Sequence, residues 1–185
     1  MAKKSAARRK EQSAFDDEKY EGVRMSATFE YNELSLSRSA EQLAPRLKNS
    51  LLFLNVASLL ALVAAAIILP DLTALLIALF VVAVGAMYVY HNWNAMMVRY
   101  ARSTTLDPAS YQGSVHVAVC DDALHLADEG GTDDRYDYSD LRVVYPTGEF
   151  LVAGFGKKRY VYVPRSALSE GRFRELVRIL DEHCK

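Results

Sequence analysis

The sequence predicts an α+β protein in which a two-helix transmembrane hairpin accompanies a small antiparallel β-sheet domain that a C-terminal helix closes. Three observations support this fold class. Two uncharged apolar runs, residues 51–69 and 72–90, follow each other near the middle of the 185-residue chain. After residue 113 the apolar residues recur with a period of two, which is typical of half-buried strands. An amphipathic segment with helical periodicity then follows the last of these strands.

The first part of the chain is polar, and we expect residues 1–22 to be a disordered basic tail. Residues 1–13, MAKKSAARRKEQS, lack apolar periodicity, and such segments bury too little apolar surface to offset the entropy of ordering. Their basic side chains have two interpretations: a solvated tail that sets membrane topology, or a polybasic patch on anionic lipid. Over residues 23–50 we expect a cytoplasmic strand and then a polar helix that leads to the membrane, with a bend or restart at Pro45.

Residues 51–90 are predicted to form the transmembrane hairpin. Each apolar run reaches about 28 Å as a helix, close to the roughly 30 Å of a bilayer's hydrocarbon core. Pro70 and Asp71 stand between the runs and favour an immediate reversal of the chain. A single kinked helix is the alternative, but nearly forty apolar residues exceed what one crossing can bury. A cleaved signal peptide is excluded because about fifty mostly polar residues precede the first run.

Basic residues flank only the outer ends of this hairpin. Arg46 and Lys48 precede the first run, Arg99 and Arg102 follow the second, and the turn between the runs carries no positive charge. This distribution predicts a multi-pass plasma-membrane protein with both termini in the cytoplasm. Aromatic residues cluster where the second run meets the basic side and mark the predicted membrane interface: Tyr88, Tyr90 and Trp93.

Small residues recur along both predicted spans. They are Ala57, Ala61 and Ala65 on the first, and Ala74, Ala78 and Ala86 on the second. We expect the two small faces to pack on each other, because small side chains let helices approach closely in a membrane. A homo-oligomer formed through one of these faces is the second interpretation. The absence of charge inside the spans argues against an ion or proton path.

Residues 91–112 are predicted to be a linker and residues 113–185 a cytoplasmic domain. Short strands follow one another as an antiparallel meander that ends at Pro164. Ser169 then caps an amphipathic helix. The apolar face of this helix is predicted to be Phe173, Leu176, Val177 and Leu180. A small curved sheet closed by this helix buries the apolar faces of both.

Two phrases in this domain resemble the YcxB-like family of bacterial membrane proteins. One is YSDLRVVY, which begins at Tyr138, and the other is YVYVPRSAL, in which a strand ends at the pair Pro164 and Arg165. Tyr138 stands where that family often has a tryptophan. The similarity covers the two spans and about seventy residues after Gly113. It implies a domain similar to bacterial pleckstrin-homology-like modules, and it brings no catalytic residues with it.

The remaining chemistry-bearing residues do not favour an enzyme, a cofactor or a metal centre. His116, Cys120 and His125 offer three soft ligands, but without a fourth ligand or a close Cys or His pair they are typical of ordinary sheet residues. The acidic loop of residues 128–134 lacks the ligand spacing of a calcium site. Cys120 and Cys184 lie on the predicted cytoplasmic side, so no disulfide is expected. The net charge of −1 argues against nucleic acid as a partner.

One basic cluster remains as a predicted contact site for a lipid or a protein partner: Lys157, Lys158 and Arg159. Crowded at a hairpin turn, these side chains either contact anionic lipid headgroups or simply keep the turn solvated. The sequence therefore favours a membrane-anchored interaction module that binds a protein partner or anionic headgroups. The alternative is a small transport or bacteriocin-protection component that acts through its transmembrane hairpin.

Overall fold

The computed structural model describes residues 15–68 and 71–184. It confirms the α+β class, since it contains two long apolar helices, two small antiparallel sheets and a C-terminal helix. The chain divides into two compact units. We call residues 40–100 the helix unit, and residues 15–39 together with 101–184 the sheet unit.

The regular elements follow a simple order. The helices are α1 (Glu33–Glu41), α2 (Pro45–Ile68), α3 (Thr73–His91), α4 (Trp93–Ala101) and α5 (Glu170–His183). The strands are β1 (Met25–Glu30), β2 (Ser114–Val119), β3 (Ala123–Asp128), β4 (Asp133–Asp137), β5 (Leu141–Pro146), β6 (Phe150–Phe155) and β7 (Tyr160–Pro164). The linker predicted at residues 91–112 is therefore largely ordered, because it contains α4 and a 3-10 turn at Pro108–Ser110.

Helices α2 and α3 are long and apolar enough to cross a membrane. Within their most apolar windows, only 6% of the residues in α2 and 11% in α3 are buried inside the protein. The core helix of a soluble protein would instead be mostly buried, so this exposure is what a lipid-facing helix requires. The restart predicted at Pro45 is confirmed, because Pro45 is the first residue of α2, a position where its missing N–H costs no hydrogen bond.

The two long helices contact each other along a polar and small seam. The side-chain amide of Asn55 on α2 donates to the carbonyl oxygen of Ala83 on α3 at 3.0 Å. Ser58, Ala83 and Ala86 are the buried residues of these helices. The predicted alanine faces are only partly correct, because Ala86 is buried whereas Ala61, Ala74 and Ala78 are exposed. The Asn55 amide therefore joins α2 to α3 through a side-chain-to-backbone hydrogen bond.

The sheet unit contains two sheets rather than the single meander expected from the sequence. One has the strand order β1-β2-β3-β4 and the other β5-β6-β7, with every neighbouring pair antiparallel. A 3-10 turn at Tyr138–Asp140 separates β4 from β5. The hydroxyl of Tyr138 donates to the carbonyl oxygen of Cys120 at 3.0 Å. This bond inside the core holds the chain at the point where it passes from one sheet to the other.

Strand β1 comes before both apolar helices in the chain, yet it pairs with β2, which comes after them. The register runs from Met25 opposite Val119 to Glu30 opposite Ser114. The domain predicted at residues 113–185 is therefore incomplete, because its first sheet takes its edge strand from the N-terminal side of the hairpin. The two helices are an insertion within a single sheet unit.

Helix α5 packs its apolar face on the core that the two sheets share. Ser169 is the N-cap, as predicted, and its hydroxyl accepts from the backbone N–H of Arg172. The face contains Phe173, Leu176 and Leu180 as expected, together with Ile179, whereas Val177 is only half-buried. Each fully buried leucine contributes about 1.5–3 kcal/mol to stability.

The disorder predicted for the tail is wrong for residues 15–22, and residues 1–14 lie outside the described part of the chain. Asp16 caps a 3-10 turn at Asp17–Lys19. The Phe15 ring stacks on His116 of β2 at 4.8 Å, and the Tyr20 ring lies 4.4 Å from that of His125 of β3. Two aromatic rings thus provide contacts between this segment and the sheet. We call residues 15–20 the strap.

Candidate functional site

The three predicted basic residues lie at the hairpin that joins β6 to β7. The hairpin closes where the N–H of Phe155 donates to the carbonyl oxygen of Arg159 at 2.7 Å. Gly156 and Lys158 both adopt positive φ angles, 74° and 61°, and only glycine does so without steric cost. This tight turn exposes the side chains of Lys157 and Lys158. Within residues 15–68 and 71–184, neither lysine side chain has a hydrogen-bond or ion-pair partner.

Arg159 has a different role from the two lysines. One of its guanidinium nitrogens, Nη2, donates to the carbonyl oxygen of Arg135 on β4 at 2.6 Å. The guanidinium also lies over the Tyr136 ring, 4.4 Å from its centroid. Arg159 directly precedes β7 of the three-stranded sheet, whereas Arg135 and Tyr136 belong to β4 of the four-stranded sheet. Arg159 therefore joins the two sheets. Arg159 therefore has a structural role. Within the basic cluster, the side chains of Lys157 and Lys158 are exposed, whereas the Arg159 guanidinium is bonded inside the sheet unit.

Thr105 holds the hairpin from the other direction. Its backbone N–H donates to the carbonyl oxygen of Lys158 at 3.1 Å. Its hydroxyl donates to the carbonyl oxygen of Tyr160 and accepts from the N–H of Tyr160, each at 2.7 Å. These three bonds fix the backbone on both sides of Arg159. The lysines therefore project from a supported turn, and the sequence carried no signal for this use of a threonine.

The nearest other cation, Arg135, is already neutralised. Its side chain pairs with Asp122 at 2.7 Å and with Asp137 at 2.8 Å. The hydrogen bond that Arg135 donates to Asp137 and the charge of Asp137, followed by the charge of Asp122, raise the pKa of Arg135 above its usual value. Lys157 and Lys158 therefore remain exposed positive charges at this end of the sheet unit.

The structure separates the three aromatic residues that were predicted at the membrane interface. Tyr88 and Tyr90, near the end of α3, are exposed, Tyr88 by 68%. Trp93, in the first turn of α4, is only 2% exposed, so its ring contacts protein, and its position at headgroup depth stays a prediction. In the described part of the chain its indole N–H has no hydrogen-bond partner.

The suggested zinc ligands do not come together. His116 bonds through Nδ1 to the Thr28 hydroxyl at 2.8 Å and through Nε2 to Asp17 at 2.7 Å. His125 lies beneath Tyr20, and Cys120 is buried at the end of β2. Among the described residues no group of three or more His, Cys, Asp or Glu side chains is placed to hold a metal ion.

The acidic loop of residues 128–134 has a structural use for its first aspartate. The carboxylate of Asp128 is buried and accepts from the N–H groups of Thr132 at 2.7 Å and Gln112 at 2.9 Å. Burial alone would raise the pKa of Asp128, but these backbone donors outweigh it and lower the pKa below its usual value. The side chain closes the β3–β4 turn and holds the segment before β2.

The core offers no space for a small ligand at its aromatic end. A partly open cleft of about 10 Å³ lies between side chains of both sheets, including Phe29 and Tyr162, and Tyr111 of the segment before β2. A volume of this size is at the lower limit for one water molecule.

A further residue explains one of the sequence phrases. Arg165, which follows Pro164 at the end of β7, donates to the carbonyl oxygen of Gly148 at 3.1 Å and to Glu170 at the start of α5, also at 3.1 Å. It joins the β5–β6 turn to the C-terminal helix. The Pro-Arg pair thus has a structural role in closing the sheet unit.

Comparison of the chain with protein-family models, with curated proteins and with solved structures finds no match.

Proposed function

We propose that this protein is a membrane-anchored interaction module of the bacterial plasma membrane, and that its sheet unit contacts anionic lipid headgroups through Lys157 and Lys158. In this proposal α2 and α3 are the two transmembrane spans, both termini are cytoplasmic, and the sheet unit lies on the inner side. The observation that carries the proposal is that Lys157 and Lys158 are exposed at the supported β6–β7 turn, where their side chains have no partner within residues 15–68 and 71–184.

The membrane assignment is supported by the exposure of the two apolar helices. Their side chains would be in contact with water in a soluble protein, at a cost of about 25 cal/mol for each Å² of apolar surface. The turn between them begins at Asp71, and the basic residues lie at the other ends of both helices. This arrangement supports a hairpin whose two ends face the cytoplasm.

The strand order supports a pleckstrin-homology-like domain. Four strands form one sheet, three form the next, and an amphipathic helix follows the last strand. The hairpin is inserted after β1, so the chain enters and leaves the membrane between two paired strands. Both N-terminal and C-terminal segments of the sheet unit consequently belong on the same side of the bilayer, because β1 and β2 pair directly.

The headgroup contact is supported by charge and by availability. Arg159 and Arg135 are used inside the sheet unit, whereas Lys157 and Lys158 are exposed. Thr105, which holds the β6–β7 hairpin, is connected to the end of α3 by residues 92–104 alone. A basic side chain near an anionic membrane surface contributes about 1 kcal/mol to binding.

The proposal is tested with a soluble version of the sheet unit in which a flexible Gly/Ser linker replaces residues 40–100. Its partition onto phosphatidylglycerol-containing vesicles is measured by sedimentation at low and at physiological salt. Replacing Lys157 by serine and Lys158 by asparagine, which tolerates positive φ, removes two charges and leaves Arg159 in place. We expect roughly a thirtyfold weaker partition at low salt, since the loss is about 2 kcal/mol.

A control variant loses the same charge elsewhere, through Arg172→Gln and Arg178→Gln, both at exposed positions of α5. If this control weakens vesicle binding as much as the lysine variant does, the effect is one of net charge. The assignment of the headgroup contact to the β6–β7 hairpin is then wrong. If the parent protein does not bind anionic vesicles at all, the module binds a protein partner instead.

The alternative proposal, transport or bacteriocin protection through the hairpin, has less support. Asn55 is the most polar side chain within the spans, and its amide is bonded to the neighbouring helix. Within the described residues of α2 and α3 there is no charged side chain between Leu51 and Tyr90 other than Asp71 in the turn, whereas ion and proton paths use ionisable groups near mid-membrane.

A further inference from the structure

The outward face of the four-stranded sheet carries two cross-strand rows of small and polar residues. The first row is Ser26, Ala118, His125 and Arg135, and the second is Thr28, His116, Ala127 and Asp133. Ala118 is fully buried although it points away from the core. The strap supplies the cover, because its side chains contact members of both rows.

The strap contacts this face through a regular set of side-chain groups. Phe15 stacks on His116 with the ring planes 13° apart. The carboxylate of Asp17 accepts from the Ser26 hydroxyl at 2.6 Å and pairs with His116 at 2.7 Å. At the other end the Tyr20 ring covers His125. The strap therefore makes three sets of side-chain contacts with this face. Phe15 contacts His116, Asp17 bonds to Ser26 and His116, and Tyr20 contacts His125.

Asp133 receives the C-terminal end of the strap. It pairs with the Lys19 ammonium group and accepts from the Tyr20 hydroxyl at 3.1 Å. Burial, followed by the hydrogen bond to Asp133, raises the pKa of Tyr20 to about 12. Tyr20 is therefore a protonated donor throughout the physiological range, and this contact does not depend on its titration.

The strap is attached by its side chains and not by a backbone ladder. Its recorded backbone hydrogen bonds, from Lys19 to Asp16 and from Tyr20 to Asp17, stay within the strap. The first backbone bond to the sheet comes from Arg24 to Val119, beyond Gly22 with its φ of 68°. Such a segment can leave the sheet without breaking a strand pair, because the core lies on the opposite face of β2 and β3.

We propose that this outward face is a docking surface for an extended peptide, and that the strap occupies it in cis and so blocks it. The partner is a protein segment that presents the same chemistry: an aromatic ring, a carboxylate two residues later, a basic side chain two residues after that, and a second ring in the next position. Binding of such a segment requires the strap to leave. The inference is independent of the headgroup contact proposed for the β6–β7 hairpin.

The test uses the whole chain in detergent micelles and a fluorescent peptide with the sequence of residues 13–22, SAFDDEKYEG. Two variants open the face without altering it: removal of residues 1–20, and the double substitution Phe15→Ser and Tyr20→Ser. We expect both variants to bind the peptide saturably, and at least roughly tenfold more tightly than the parent, because a tethered segment competes at an effective concentration of about millimolar.

Two controls define the specificity. A peptide carrying the substitutions F15S, D17N and Y20S should not bind either open variant. The whole-chain variant Glu18→Gln, changed at an exposed strap position, should keep the face blocked as the parent does.

Three outcomes would overturn the inference. The first is no binding to either open variant up to about 1 mM peptide, and the second is equal binding to the parent chain. The third is loss of hydrogen-exchange protection in β2 and β3 of the Phe15→Ser, Tyr20→Ser variant, which would make the strap an integral part of the sheet.

Discussion

Replacing Arg159 by alanine is expected to loosen the contact between the two sheets. The guanidinium donates to the backbone of Arg135 at 2.6 Å and lies 4.4 Å from the centre of the Tyr136 ring. A hydrogen bond from a charged donor contributes about 1.5–3 kcal/mol, and a partly exposed cation–π contact about 0.5–1 kcal/mol. Because Arg159 is half-buried, we take the lower part of this range and expect a loss of about 2 kcal/mol.

This loss is measured by hydrogen exchange of the whole chain in micelles. Amides of β4 and β7 that exchange through separation of the sheets should do so roughly thirtyfold faster, since 1.4 kcal/mol corresponds to a factor of ten. Arg159→Lys should show an intermediate effect, because an ammonium group keeps the charge but not the planar stacking. The matched control is Lys157→Ala, two residues earlier and exposed, which should change exchange by less than about 0.5 kcal/mol. Equal exchange in the Arg159 and Lys157 variants would refute the structural role of Arg159.

Two further predictions concern acid stability and topology. The folded-state pKa of Asp128 is lowered, so its contribution to stability is complete above the unfolded value of about 4 and is lost as the pH falls through the lower folded value. Asp128→Asn should therefore lower the free energy of unfolding by about 1–3 kcal/mol at pH 7. The difference between the thermal melts of variant and parent should shrink as the pH falls below about 4. An unchanged melting temperature at pH 7 would contradict this role. Reporter fusions at Lys48 and Arg102 should read cytoplasmic and a fusion at Asp71 external, and a cytoplasmic signal at Asp71 would exclude the two-span topology.

Local pattern was sufficient for most individual elements. Strand β1 was predicted from the alternation of Val23 to Tyr31, and α5 from its cap at Ser169 and its apolar face. These elements depend on spacing within the segment itself, and that spacing is visible in one dimension. The partner of β1 was not predictable in this way, because an alternating strand carries no record of which other strand it will pair with.

The sequence predicted which residues form the basic cluster, but it did not predict the different contacts that each of them makes. Lys157, Lys158 and Arg159 are alike in sequence, but the turn geometry directs two outward and one toward Tyr136. The strap was missed for a related reason. Phe15 and Tyr20 stand in an acidic segment that has no periodicity, and their contacts are with histidines about a hundred residues away. Their spacing on either side of DDEK was the one signal that could have indicated a contact.

The sequence by itself determined the two apolar helices, the position of the turn between them and the periodicity of the strands. Each of these follows from the transfer of contiguous side chains out of water, a local property of the chain. Only the tertiary structure decided that β1 pairs with β2 across the inserted helices. It also decided that Arg159 joins the two sheets while Lys157 and Lys158 stay exposed, and that the strap covers β2 and β3. These outcomes depend on distances between residues far apart in the chain, which are set when the two sheets and α5 bury one common core.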